Sequence, residues 1–135
     1  MAALTQDRNT AWREDALYSR PVKAATTIFG GSLVMLDANG FAVPGAAATG
    51  QTADGVAQEQ VTNAGSDGDA SVTVLKGVFA FANSAAADEI GAEDVGANCF
   101  IVDDQTVALT NGSASRSVAG VIAAVDAEGV WVRIS

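Results

Sequence analysis

The chain has 135 residues, a formal net charge of −9, one cysteine and no histidine, and its 49% apolar share is mostly Ala and Val. That length suits one domain with at most an arm, and small apolar residues build thin, closely packed sheets rather than a deep enzyme cleft. The missing histidine removes the commonest general base and any histidine-ligated zinc site, while the acidity argues against nucleic acid or an anionic membrane as partner.

Residues 1–20 differ from the rest of the chain. Leu4, Trp12, Leu17 and Tyr18 are isolated large apolar groups among Arg, Asn, Gln and Asp. Trp12, Ala16 and Leu17 fall on one face of a short helix predicted from near Thr10. Pro21 ends it, because the residue before a proline avoids the α region. A helix this short is marginal alone. Such anchors need a surface elsewhere, either on their own domain or on another subunit. Residues 1–23 hold four of the seven basic residues (Arg8, Arg13, Arg20, Lys23) against three of the sixteen acids. The first residues have neither a basic n-region nor an apolar h-region, so no signal peptide is expected. No apolar run approaches membrane-spanning length, and synthesis in a cytoplasm is expected.

From Val22 onward the chain reads as short strands. Val22–Phe29 is the first, broken by Gly30-Gly31. Ser32–Leu36 and Phe41–Val43 form a hairpin around Asp37-Ala38-Asn39-Gly40, in which Asn39-Gly40 supplies positive φ; Pro44 stops pairing. Asp54–Val61 is a strand and Asn63–Asp69 a polar turn. Ser71–Ala82 is the strongest strand. Its apolar parity flips at Gly77, which predicts a β-bulge or a second half buried on both faces. Ser84–Asp94 has room for one or two helical turns. Cys99–Thr110 is a second hairpin, Asn111–Ser117 a Gly/Ser loop, and Val118–Val125 with Val130–Ile134 a last hairpin. In that hairpin Val130, Val132 and Ile134 share one face, and Trp131 and Arg133 the other.

One stretch is said twice. Leu33–Pro44 aligns without a gap on Cys99–Thr110 as apolar run, Asp-opened polar break and second apolar run. Each is followed by a Gly-Val step, Gly55-Val56 and Gly120-Val121. Two similar hairpin units predict two β-rich lobes packed together. Even strand spacing without a long helix predicts an all-β fold, a β-sandwich or barrel of short antiparallel strands, with an N-terminal arm. The expected division is an arm at 1–20 and a β-rich domain at 21–135.

Little in the chain carries chemistry. Asp88-Glu89, Glu93-Asp94 and Asp103-Asp104 are adjacent acids, and neighbours along a strand point to opposite faces, which makes poor catalytic dyads. Asn63–Asp69 hints at calcium but lacks the alternating acids and closing Glu of an EF-hand loop. Cys99 sits beside Phe100 and Ile101, as an inert buried thiol does. The hairpin tips lack the lysine that swinging-arm carrier domains present. No catalytic, cofactor or metal residue is assigned, and no enzyme is expected.

Several parts together resemble the capsid decoration, or cement, proteins of tailed bacteriophages: the hairpin Gly31–Pro44, the step Asp54-Gly55-Val56-Ala57, the strand Val74–Phe81 with Gly77 inside, and the closing hairpin Ala119–Val132. They cover most of residues 22–135. The resemblance implies a β-tulip or barrel-like domain on the outer surface of the virion head, usually in trimers, clamping neighbouring major capsid subunits. It also implies an N-terminal arm crossing the capsid surface. Leu4, Arg8, Trp12, Arg13, Leu17, Tyr18 and Arg20 are the candidate contact residues, since aromatic and Arg anchors are typical of interfaces. The competing expectation is a fibre- or adhesin-like module binding a host glycan or protein through Trp131 and Phe41.

Overall fold

The computed structural model describes residues 3–11 and 15–135. The described chain is all-β, with twelve strands and two single 3-10 turns, Ala86–Asp88 and Ala92–Asp94. The strands are β1 (Leu17–Pro21), β2 (Thr26–Ile28), β3 (Leu33–Leu36), β4 (Ala42–Pro44), β5 (Thr52–Ala57), β6 (Val61–Asn63), β7 (Ser71–Leu75), β8 (Gly77–Phe81), β9 (Asn98–Ile101), β10 (Val107–Ala108), β11 (Val118–Asp126) and β12 (Gly129–Ile134).

They form two five-stranded antiparallel sheets and a two-stranded ribbon. The first sheet has the order β1-β7-β5-β3-β4, the second β8-β12-β11-β9-β10, and the ribbon is β2-β6. Numbered within its own sheet, each unit lays its strands down as first, fifth, fourth, second, third. The repeated stretch in the sequence is thus the second and third strand of a repeated fold unit. The repetition extends to the bridges. The end of β1 meets β4 at Val22 and Ala42 in parallel, and the end of β8 meets Thr106 just before β10 in the same way.

The same residue caps both repeated turns. Asp37 Oδ1 accepts the backbone N–H of Asn39 (2.9 Å) and Phe41 (3.0 Å), and Asp103 Oδ1 accepts that of Gln105 (2.9 Å). Such Asx turns are why an Asp opens each polar break. These bonds, led by the one from Phe41, hold the Asp37 carboxyl below its ordinary range.

Each fourth strand also carries a bulge. The register of β5 against β3 shifts at Asp54, and that of β11 against β9 at Ala119. The next residue must be glycine in both. A Cβ on Gly55 would collide with the Leu75 carbonyl oxygen, and one on Gly120 with that of Arg133. The Gly-Val step read twice in the sequence is therefore a close approach of the fourth strand to the fifth.

The two sheets face each other across the main core. Leu33, Met35 and Val56 of the first meet Phe81, Cys99, Ile101, Val107, Ile122, Val130, Val132 and Ile134 of the second, with Ile90 added from between the 3-10 turns. A second cluster lies on the opposite face of the first sheet, where Val34, Ala42, Ala57, Val72 and Val74 pack with Val22 and with Ile28 of the ribbon. The first sheet is buried on both faces, which explains the unbroken apolar run Leu33-Val34-Met35.

Three expectations are corrected. Ser71–Ala82 is two strands in different sheets, not one bulged strand: the parity flip at Gly77 marks the crossing, after Lys76. Val22–Phe29 shrinks to β2, because Lys23–Ala25 turn the chain, with Ala25 at φ 54°. Asp54–Val61 splits into β5 and β6, one in a sheet and one in the ribbon. Periodicity registers alternation along a chain, not the sheet into which a segment hydrogen-bonds.

Candidate functional site

The candidate contact residues lie on either side of a root in the first sheet. Tyr18 pairs with Val74 and Arg20 with Val72. Directly opposed residues share a face, so both point toward the second core cluster. Beyond the end of that cluster lies Asp54, whose side chain is 3% exposed. Arg20 donates to it twice, from Nε at 2.7 Å and Nη2 at 2.8 Å. Lys76 Nζ donates to Asp54 Oδ1 at 3.1 Å and to its backbone oxygen at 3.0 Å. The Tyr18 ring lies 4.7 Å from the Arg20 guanidinium carbon and 5.5 Å from Lys76 Nζ, within cation–π range. The hydrogen bond to Asp54 pushes Arg20 above its ordinary value, against an opposing effect of burial.

This cluster fixes where the body begins. Lys76 N donates to Ala16 O, and Val22 N to Ala70 O, both at 2.9 Å. Ala16, Tyr18, Arg20 and Val22 therefore use their backbone groups toward β7, and Leu17, Ser19 and Pro21 turn theirs the other way. Pro21 has no N–H, and Lys23 N closes that end by donating to Ala42 O at 3.1 Å. Among the described residues, the backbone donors left on this edge are the N–H groups of Leu17 and Ser19.

The expected arm boundary at residue 20 is corrected accordingly: Leu17, Tyr18 and Arg20 belong to a strand of the body. The helix predicted from near Thr10 is not found among the described residues, and its expected face residue Leu17 is in β1. An alternating Tyr-x-Arg satisfies a buried acid and an open strand edge together, which a marginal short helix does not. Trp12 and Arg13 lie outside the described residues. Residues 3–11 are exposed throughout, without strand or helix. Leu4 is 72% exposed, and Arg8 Nη1 donates to Thr10 Oγ1 at 3.2 Å within the segment. Among the described residues, a concavity of about 530 Å³ there is lined by Leu4–Arg8 and Thr10.

The sequence reading missed Asp54 and Lys76. The signal for Asp54 was a lone acid inside an apolar strand, next to a glycine that admits no side chain. Lys76 was visible as a single cation between two apolar runs.

The remaining candidates have structural duties. Asp67 Oδ1 accepts Ala24 N and Asp69 Oδ2 accepts Ser66 N. The buried Asn63 amide donates to the carbonyls of Val22, Lys23 and Ser66, which binds this loop to the end of β1. Burial pushes the Cys99 thiol up to about 11, which keeps it protonated and unreactive at neutral pH. Asp88 accepts from Thr110 and pairs with Arg116 at 3.3 Å; the Thr110 bond, more than the Arg116 charge, holds it below its ordinary range. Trp131 is half-buried and its Nε1 donates to Asp126 Oδ2 at 2.9 Å; Phe41 is half-buried. No helix among the described residues is long and apolar enough to cross a membrane. No family model matches the chain, and neither a curated protein nor a solved structure matches it.

Proposed function

We propose that the chain is a structural decoration protein of a tailed-bacteriophage head. It binds the outer surface of the shell as a trimer and clamps neighbouring major capsid subunits. The observation that carries this reading is the contrast at Ala16. Before it, residues 3–11 are exposed and without regular structure. After it, the strand is locked to the body through buried Asp54. A loose segment with a rigid root transmits tension to the body without unfolding it. In this reading Leu4 and Arg8 meet the capsid, together with Trp12 and Arg13, and Leu17 and Ser19 offer backbone donors to a capsid strand. Each copy holds weakly, and repetition around a closed shell makes the attachment strong.

The test uses expanded, undecorated heads. The full chain binds saturably and raises the temperature at which heads rupture. A chain lacking residues 1–11 keeps its thermal midpoint and binds at least about tenfold more weakly. Failure of the full chain to bind ends the proposal, and equal binding by the truncated chain removes the segment from it. The adhesin alternative is supported instead if the chain ignores heads and binds a glycan saturably, with loss on Trp131→Ala.

A further inference from the structure

We infer that the outer face of the second sheet is the surface through which copies of this chain pack on one another. The two units share a strand order, but their outer faces are treated differently. On the first sheet that face is covered by the β2–β6 ribbon, which brings Ile28 and Val61 onto Val34, Val72 and Val74. On the second sheet the described residues supply no counterpart of the ribbon. β11 runs into β12 through Asp126-Ala127-Glu128-Gly129, and the 3-10 turns that link β8 to β9 send Ile90 into the main core instead.

The uncovered face is apolar for a surface so acidic. Register places Val78 beside Arg133 and Ala80 beside Trp131, Trp131 beside Ala124, and Val118 beside Phe100. Their strand neighbours Phe81, Val130 and Val132 point into the main core. Val78 and Val118 are each 42% exposed. Among the described residues that the register sets on this face, one, Asp126, is an acid and one, Arg133, a base. Two copies of a chain carrying −9 repel over most of their surfaces. Here they meet with little repulsion and with apolar surface to bury.

The charges also select a copy of this chain as the occupant. Asp126 pairs with Gly129 at the turn end of the hairpin, and Arg133 pairs with Val121 near its open end. Four residues of strand separate these ends, roughly 13 Å. The face thus has an acid at one end, a base at the other and Ala124, Ala80 and Trp131 between. A second copy laid antiparallel across it sets its Asp126 against this Arg133. Such a contact is isologous and closes at two copies; it is separate from the contacts of the proposed trimer and does not depend on them.

The experiment measures mass against concentration by sedimentation, on the full chain without heads. The expected result is self-association that weakens about tenfold or more on Ala80→Asp, with circular dichroism verifying that the variant is folded. Arg133→Glu weakens association, and Arg133→Glu combined with Asp126→Arg restores it, which a merely destabilised fold would not do. A chain that stays monomeric at a hundredfold excess over working concentration overturns the inference. So does association indifferent to Ala80→Asp. A monomer that still coats heads overturns this inference and leaves the proposed function standing; a multimer that ignores heads does the reverse.

Discussion

The two halves of this molecule are the same five-strand arrangement put to different uses. The first half has two insertions, β2 and β6, which pair and cover its outer face. It also places an acid at its bulge, where the second half places Ala119 in the core. The second half has no ribbon and no buried ion cluster among the described residues, and it contributes most of the main core. A repeated backbone thus fixes where the chain must bulge and turn, while side chains and insertions decide which faces are closed. The half with the ion cluster is the half to which the exposed segment is attached, and the half without a ribbon is the one with a bare face.

The sharpest way to break the comparison is at the paired glycines. Gly55→Val and Gly120→Val each drive a side chain into a neighbouring backbone carbonyl, and each should cost more than about 4 kcal/mol. Urea unfolding of the two variants should show similar losses. If one variant kept the wild-type midpoint, the two bulges would not be equivalent. The ribbon is tested by Ile28→Ala, which empties the second core cluster and should cost about 3 kcal/mol. Val78→Ala on the bare face should cost under about 1 kcal/mol by the same measurement; equal losses would mean that the two outer faces are equally covered.

Asp54→Asn leaves Arg20 and Lys76 sharing a neutral amide. The expected loss is about 2 kcal/mol, below the range for fully buried pairs, because the Arg20 side chain is 26% exposed and screened. Ala119→Asp, the reverse change at the other bulge, buries an unpaired acid that the fold accepts best when protonated. It should therefore lower the pH at which the protein is most stable. A pH series supplies the smallest effect. Asp37 titrates below its ordinary value of 3.8 in the folded chain. Its contribution is therefore present above that value and lost as pH falls through the lower folded one, where the unfolded chain binds the extra proton. Thermal midpoints of wild type and Asp37→Asn should converge as the pH drops below about 4. A constant gap between them would rule out the Asx turn as the source of the shift.

Much of the fold was legible because the relevant signals are local. Asp37 and Asp103 cap their own turns, Val130, Val132 and Ile134 alternate by two, and Gly55 and Gly120 precede valines in the same step. Each of these needs only a few consecutive residues to be read. The candidate site was half legible. Tyr18 and Arg20 stood out as anchors, but as residues of an arm, because their partners Asp54 and Lys76 lie 34 and 56 positions from Arg20. The bare face of the second sheet was legible only as alternation, which set Trp131 and Arg133 opposite Val130, Val132 and Ile134. Trp131 and Phe100 look the same in sequence whether or not a ribbon lies over them.

By itself the amino-acid order determined the class of the fold, the two hairpins and their capping acids, the inertness of Cys99 and the excess of negative charge. Each of these follows from short-range sterics or from composition. Tertiary structure alone decided that Lys76 separates two sheets, that Leu17–Pro21 is a strand, and that one outer face is covered while its counterpart is bare. Those choices depend on which distant backbone offers an unpaired edge and which buried charge needs a partner, and neither is a property of neighbouring residues.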